Sequence, residues 1–256
     1  MSMNGHPNVL ITGAAHRIGR AIAFDLAAHG YGVAVHYLNS SEKADELVTA
    51  IHEVGGRALA IKADLANEDE VKSIIPTATE VLGPLTVLVN NASLFENDTV
   101  DSVTRESWDM HMDVNLRAPF VLSQQFAEQV PDGLEGNIIN ILDQRVWNLT
   151  PFFMSYTVSK SALWTLTQTL ALALAPNIRV NGVGPGPTLK NVRQSEEDFA
   201  RQWSETPLTR RVMPDEIADA VRFIIHAPSM TGQMIALDSG QHLGWGQSSN
   251  LKPPTE

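Results

Sequence analysis

The sequence predicts an α/β fold, a doubly wound parallel sheet of about seven strands with helices on both faces. Short apolar runs rich in β-branched residues alternate with longer amphipathic segments along the whole chain, the order produced when each strand is followed by a crossover helix. At 256 residues, 43% hydrophobic and 18% charged, the chain can bury one sizeable core, so residues 1–247 are expected to form a single domain.

The first strand is expected at 9–12, where Val9-Leu10-Ile11 is a continuous apolar run of the kind buried on both faces of a sheet. A helix over 17–30 follows, and Gly30 stops it because glycine takes the left-handed conformation that closes helices. The run Gly32-Val33-Ala34-Val35 opens a strand at 32–37, and a helix over 42–54 ends at Gly55-Gly56. Strands at 58–62 and 86–90 bracket a helix over 68–82, with Pro84 just past its end. A long helix over 105–129 is closed by Pro131 and leads to a strand at 137–142. Next come a helix over 155–175 and a strand at 178–183, then a helix over 214–227, opened by Pro214-Asp215-Glu216, and a strand at 233–237. Residues 184–213, about 30 in number, carry no assigned element and are long enough to form a functional lid. The polar, proline-bearing tail 248–256 is expected to fray.

The net charge of −11 disfavours nucleic acid and anionic membrane as partners, since either requires clustered lysine and arginine. With 0 cysteines the chain has no disulfide framework, thiol nucleophile or cysteine-held metal, and no metal site is expected. The first residues lack the basic segment and apolar stretch of a secretory signal, which fits a cytoplasmic enzyme acting on a small molecule. The run 161–178 contains no charged side chain but is interrupted by Thr165, Gln168, Pro176 and Asn177. It reads as a helix buried on most sides, in part by another subunit, rather than as a membrane span.

Directly after the first expected strand comes Thr12-Gly13-Ala14-Ala15-His16-Arg17-Ile18-Gly19. A strand, a glycine-bearing turn and a helix start bring backbone amides and the positive dipole end to one point, where a pyrophosphate can be held; the plain alternative is an ordinary turn. Near the end of the second strand, where an acidic residue would bind the ribose hydroxyls of NAD, the chain has His36, Asn39 and Ser40, with no acid before Glu42. Together with Arg17 these residues favour NADP(H) as the cofactor. Further on, Tyr156 and Lys160 lie four apart, so a helix projects both to one side. A phenol with a pKa of about 10 is a poor acid near neutrality, and a nearby cation lowers it.

These motifs resemble the short-chain dehydrogenase/reductase family, whose Rossmann-type domains carry a T-G-x-x-x-G-x-G loop; Arg17 stands where the family has a glycine. The resemblance implies that Asp64-Leu65 contacts adenine and that Asn91-Ala92 belongs to an N-N-A-G motif in which Ser93 replaces the glycine. It implies that Asn115 joins Lys160 through water, that Pro185-Gly186 lies along the nicotinamide, and that Thr188 meets the carboxamide or phosphates. It also implies a homotetramer assembled through two helices, here 105–129 and 155–175.

Family members generally keep a serine 13 residues before the tyrosine, and 156 − 143 = 13 lands on Asp143. A carboxylate repels a developing alkoxide, so a ketone is poorly served there unless the group is protonated, and a ring nitrogen is served better. Within the family this pattern resembles the pteridine reductases, including dihydromonapterin reductase, which likewise have Asp, Tyr and Lys with an Arg in the loop. Asn91-Ala92-Ser93-Leu94-Phe95 is similar to that branch's N-A-S-x-F, implying that Phe95 stacks on the pterin. His36-Tyr37-x-x-Ser40 is similar to its H-Y-x-R-S, with Asn39 in place of the arginine. The implied activity is NADPH-dependent reduction of a dihydropterin ring, with Asp143 and Tyr156 supplying a proton and Arg17, Ser93, Phe95 and Trp147 facing the substrate. The competing readings are a carbonyl reductase acting on a 3-oxoacyl thioester or other ketone, its pocket shaped by Gln144 and Trp147, and a non-catalytic NADP-binding sensor.

Overall fold

In β1 (Asn8–Ile11), Val9 and Ile11 point to one face of the sheet and Leu10 to the other, and all three are fully buried. Val9 and Ile11 join one core cluster and Leu10 joins a second. A strand covered on both faces has to be apolar throughout, which is what the continuous run supplies. The computed structural model describes residues 7–191 and 193–244, so the expected tail 248–256 lies outside the described residues.

The chain continues through α1 (Arg17–Ala28), β2 (Gly32–Tyr37), α2 (Ser41–Glu53), β3 (Arg57–Lys62), α3 (Glu68–Leu82) and β4 (Val87–Asn90). It then runs through α4 (Arg105–Met112), α5 (Ala118–Gln129), β5 (Gly136–Ile141), α6 (Met154–Ala173), β6 (Ile178–Pro185), α7 (Glu196–Ser204), α8 (Pro214–Ile225) and β7 (Met234–Leu237). All seven strands are parallel, in the order β3-β2-β1-β4-β5-β6-β7. Ile22, Leu26, Leu47, Val221 and Ile224 bring α1, α2 and α8 onto one face. Ile74, Val121, Phe126 and Leu170 bring α3, α5 and α6 onto the other. The winding reverses between β1 and β4, and in such sheets the crevice beyond the strand C-termini at that reversal is where a ligand fits.

Two expectations are corrected. The segment 105–129 is not one α-helix, because a π-helical turn at Asp113–Arg117 separates α4 from α5. A π-turn carries one extra residue and swings the side chains after it; here it turns Asn115 fully inward. The unassigned stretch 184–213 holds α7, capped by Ser195, whose hydroxyl oxygen accepts the Asp198 amide at 3.0 Å. No helix among the described residues is long and apolar enough to cross a membrane.

Candidate active site

A cleft of about 590 Å³ opens beyond the C-terminal ends of the central strands. Every residue named above for coenzyme and substrate lines it except Thr12, Ala14, Asn115 and Trp147. Its floor is the loop from β1 to α1. Gly13 has φ +61°, and a Cβ at Gly19 would sit 2.5 Å from the Gly13 oxygen and 2.6 Å from Asn91 Nδ2. Both positions therefore exclude a side chain, and the space kept open in front of α1 fits a pyrophosphate held on backbone amides. Arg17, in the family's glycine position, takes the left-handed conformation at φ 57°.

The neighbouring polar groups weld this loop in place. Thr12 Oγ1 accepts the amides of Asn91 and Ala92, each at 2.9 Å, and Asn91 Nδ2 donates to the Thr12 oxygen at 2.8 Å. His36 Nδ1 accepts the Gly13 amide at 3.0 Å, which leaves Nε2 to donate to the Ala63 oxygen at 3.1 Å. Burial pushes the His36 pKa down to about 4, with the Ala63 bond and Asp64 opposing. As a neutral, two-sided strut His36 lines the cleft from within the fold, and beside it Asn39 is exposed and Ser40 half-buried. Ser40 is the N-cap of α2 but makes no side-chain cap bond. Asp64 is half-buried and its Oδ1 accepts the Ala66 amide at 2.9 Å.

The reacting end is set by β5 and α6. Asp143 follows the β5 terminus, and the Tyr156 hydroxyl donates to its Oδ2 at 2.8 Å. Lys160, one helical turn on, is 2% exposed; its Nζ donates to the Ile141 oxygen at 2.7 Å and lies 5.9 Å from the Tyr156 ring centre. Burial brings the Lys160 pKa down to about 8 against the opposing pull of Asp143. A buried cation, a phenol and a carboxylate thus meet on one wall, where a proton can be held and passed.

A family model described as enoyl-(acyl carrier protein) reductase matches residues 13–242. Over 241 residues the chain is 34% identical to the 3-oxoacyl-[acyl-carrier-protein] reductase FabG of Staphylococcus aureus, covering 92% of this chain and 98% of that one. The chain belongs to the short-chain dehydrogenase/reductase family. It is an oxidoreductase of that type. Among solved members, it is similar to FolM alternative dihydrofolate reductase 1 of Brucella canis, complexed with NADP, at 46% identity and a TM-score of 0.92, over 96% of this chain and 97% of that one. A short-chain dehydrogenase of Burkholderia cenocepacia in complex with NADP has 33% identity and a TM-score of 0.86, over 92% and 98% of the two chains.

Several of the expected site residues of this reductase have partners within the protein. The Asn115 side chain is spent on the substrate wall: Nδ2 donates to the Leu94 oxygen and to Ser159 Oγ, both at 3.0 Å, and Oδ1 accepts the Leu94 amide at 2.8 Å. Trp147 is 45% exposed and packs edge-on to Trp164 and His242, away from the cleft, because the short 3-10 turn Gln144–Val146 carries it past the opening. Arg17 reaches the segment after β6, donating to the Leu189 and Lys190 oxygens at 3.0 and 2.8 Å. Phe95 already stacks on Phe153, with ring centres 4.6 Å apart and planes 4° apart, and meets Tyr156 edge to face. Reasoning from sequence missed Arg145. Its guanidinium pairs with Asp143 Oδ2 at 3.3 Å and lies 5.3 and 5.0 Å from the Phe95 and Phe153 ring centres. An arginine two residues after an aspartate carries no pattern that points to such a pair.

Proposed function

We propose that this protein is an NADPH-dependent reductase of a dihydropterin-type ring, working as a homotetramer. The observation that carries the reading is the 2.8 Å bond from the Tyr156 hydroxyl to Asp143 where relatives keep an alcohol. The likeness to a solved FolM protein at 46% identity supports it. NADPH, when bound, supplies hydride. The Gly13–Gly19 loop and the start of α1 would hold its pyrophosphate, and Asn39, Ser40, Pro185, Gly186 and Thr188 line the rest of its path.

The chain's own part is the proton. A ring nitrogen next to the reduced carbon must gain one: the Tyr156 hydroxyl gives its proton toward the cleft, and the Asp143 carboxylate, which lines the cleft, takes one from solvent and returns it to Tyr156 along the same hydrogen bond. Lys160, a cation below about pH 8, stabilises the phenolate left behind. Phe95 and its Phe153 backing form a flat apolar wall, and stacking there is worth about 0.5 to 1.5 kcal/mol beyond area burial. Gln144 also lines the cleft, and its buried Oε1 has no hydrogen-bond partner among the described residues.

Likeness to 3-oxoacyl reductases at 34% identity supports a second reading, reduction of a ketone. The negative charge of Asp143 next to Tyr156 weighs against it, since the alkoxide formed there would be repelled. Following NADPH absorbance separates the two. The expected kcat/KM for dihydrobiopterin or dihydromonapterin exceeds that for an acetoacetyl thioester by about tenfold or more. The reverse order establishes the ketone reading. Tyr156→Phe should cut turnover by about 10²- to 10⁴-fold while sparing NADPH binding.

A further inference from the structure

Beneath Phe95 runs a buried polar chain that the chemistry above leaves unused. Asp98, His111 and Ser155 are 3%, 0% and 0% exposed. At one end the Glu96 amide donates to His111 Nε2 at 3.2 Å. A backbone N–H can only donate, so Nε2 holds the lone pair and the neutral ring carries its hydrogen on Nδ1. Nδ1 faces two acceptors, the Ser107 carbonyl oxygen at 2.9 Å and Ser155 Oγ at 2.8 Å. The Ser155 hydroxyl in turn donates to Asp98 Oδ2. Asp98 also accepts the Ser155 amide on Oδ1 at 3.1 Å and the Ser107 hydroxyl on Oδ2 at 3.3 Å. It thereby caps α6 from outside, which the helix needs because Phe153, at its own N-cap position, makes no side-chain cap bond.

We infer that Asp98 is a positioning residue for the reaction. Because its oxygens accept the Ser155 amide and hydroxyl, that hydroxyl points to Asp98 and not to His111 Nδ1, which leaves the ring the tautomer that Ser107 and Glu96 require; Asp98 thereby keeps Glu96, next to Phe95, at one end in register with the first turn of α6, with Tyr156, at the other. This rests on Phe95 being the substrate wall. An asparagine at 98 has the same shape but breaks the direction in either orientation. With Nδ2 toward Ser155 Oγ, the hydroxyl loses its acceptor or turns to Nδ1; the ring hydrogen then moves to Nε2 and opposes the Glu96 N–H. With Nδ2 the other way, it opposes the Ser155 N–H. Ser155→Ala is gentler, because Nδ1 keeps the Ser107 oxygen and Nε2 keeps Glu96.

The test compares Asp98→Asn and Ser155→Ala in the full-length protein, alone and with Phe95→Ala. Asp98→Asn is expected to raise KM for the dihydropterin about tenfold and to leave the NADPH Kd within about twofold. Ser155→Ala should leave both within about twofold, and Asp98→Asn should add nothing once Phe95 is gone. Hydrogen exchange of the Glu96 amide should quicken about tenfold in Asp98→Asn alone. Should Asp98→Asn not fold, His111→Phe removes the acceptor of Glu96 from the other end and takes its place. An equal KM effect with and without Phe95, or unchanged Glu96 exchange, overturns the proposal. Faster Glu96 exchange with unchanged KM overturns it as well, leaving Asp98 a support of the fold alone. Absence of any dihydropterin turnover in the wild type defeats the substrate reading, while the exchange measurement still decides the role of Asp98.

Discussion

Burial of Lys160 makes its charge a matter of pH within reach of experiment. In the unfolded chain the side chain titrates near 10.5, and in the folded one near 8, chiefly because the site is desolvated. Between those values the unfolded state binds a proton that the folded state does not, so folding stability rises with pH across the window. Below about 8 both states are protonated and the cost of burying the cation is fully present, on the order of 3 kcal/mol. Urea unfolding of the coenzyme-free protein should therefore show wild type gaining stability on Lys160→Met between pH 8 and 10.5. Parallel curves for the two proteins would remove the buried ammonium from the account. Residues of this kind were partly legible. Asp143, Tyr156 and Lys160 are tied to a strand end and one helical turn, so their spacing carries their meaning. The strut made by His36 was not legible, because its partners, the Gly13 amide and the Ala63 oxygen, lie 23 and 27 residues away and no local pattern records them.

Between elements, the π-turn Asp113–Arg117 has the largest effect on the site, since it aims Asn115 at the 94 segment rather than along α5. Both Leu94 backbone groups depend on that side chain. Asn115→Ala leaves them without it, and a buried unpaired group costs about 1–3 kcal/mol. The expected result is a lower urea midpoint and a larger rise in KM for substrate than in Kd for NADPH; equal changes in the two would mean that Asn115 supports the fold alone. The helix over 105–129 was readable as a helical stretch, but the extra residue of the π-turn was not, because the same residue types suit both helices. α7 did leave a trace, the Ser195-x-x-Asp198 cap. Its first turn is Glu196-Glu197-Asp198, so the segment reads as exposed loop unless the cap is given more weight than the charge.

On the whole molecule, the sheet order could be expected from the alternation of runs because parallel crossovers leave few arrangements open; the assembly could not. Leu163 and Leu170 of α6 are buried, and Leu166 and Leu174 pack on the core, so that apolar face is spent within the subunit. What remains outside is a different stripe. Val158 and Leu172 are 41% and 82% exposed, and Thr165 and Thr169 lie exposed between them at helical spacing. No charged side chain interrupts 161–178, although the chain as a whole carries −11. A neutral face of small and apolar side chains on so acidic a protein suits the same face of a second copy: like copies of a charged face would repel, and small side chains let helices approach closely. Light scattering should give four times the chain mass for the wild type. Thr165→Arg, in the middle of the stripe, should reduce that mass to two chains or one while leaving the circular dichroism spectrum unchanged. A monomeric wild type, or a Thr165→Arg variant that stays whole, would show that α6 is not where the copies meet.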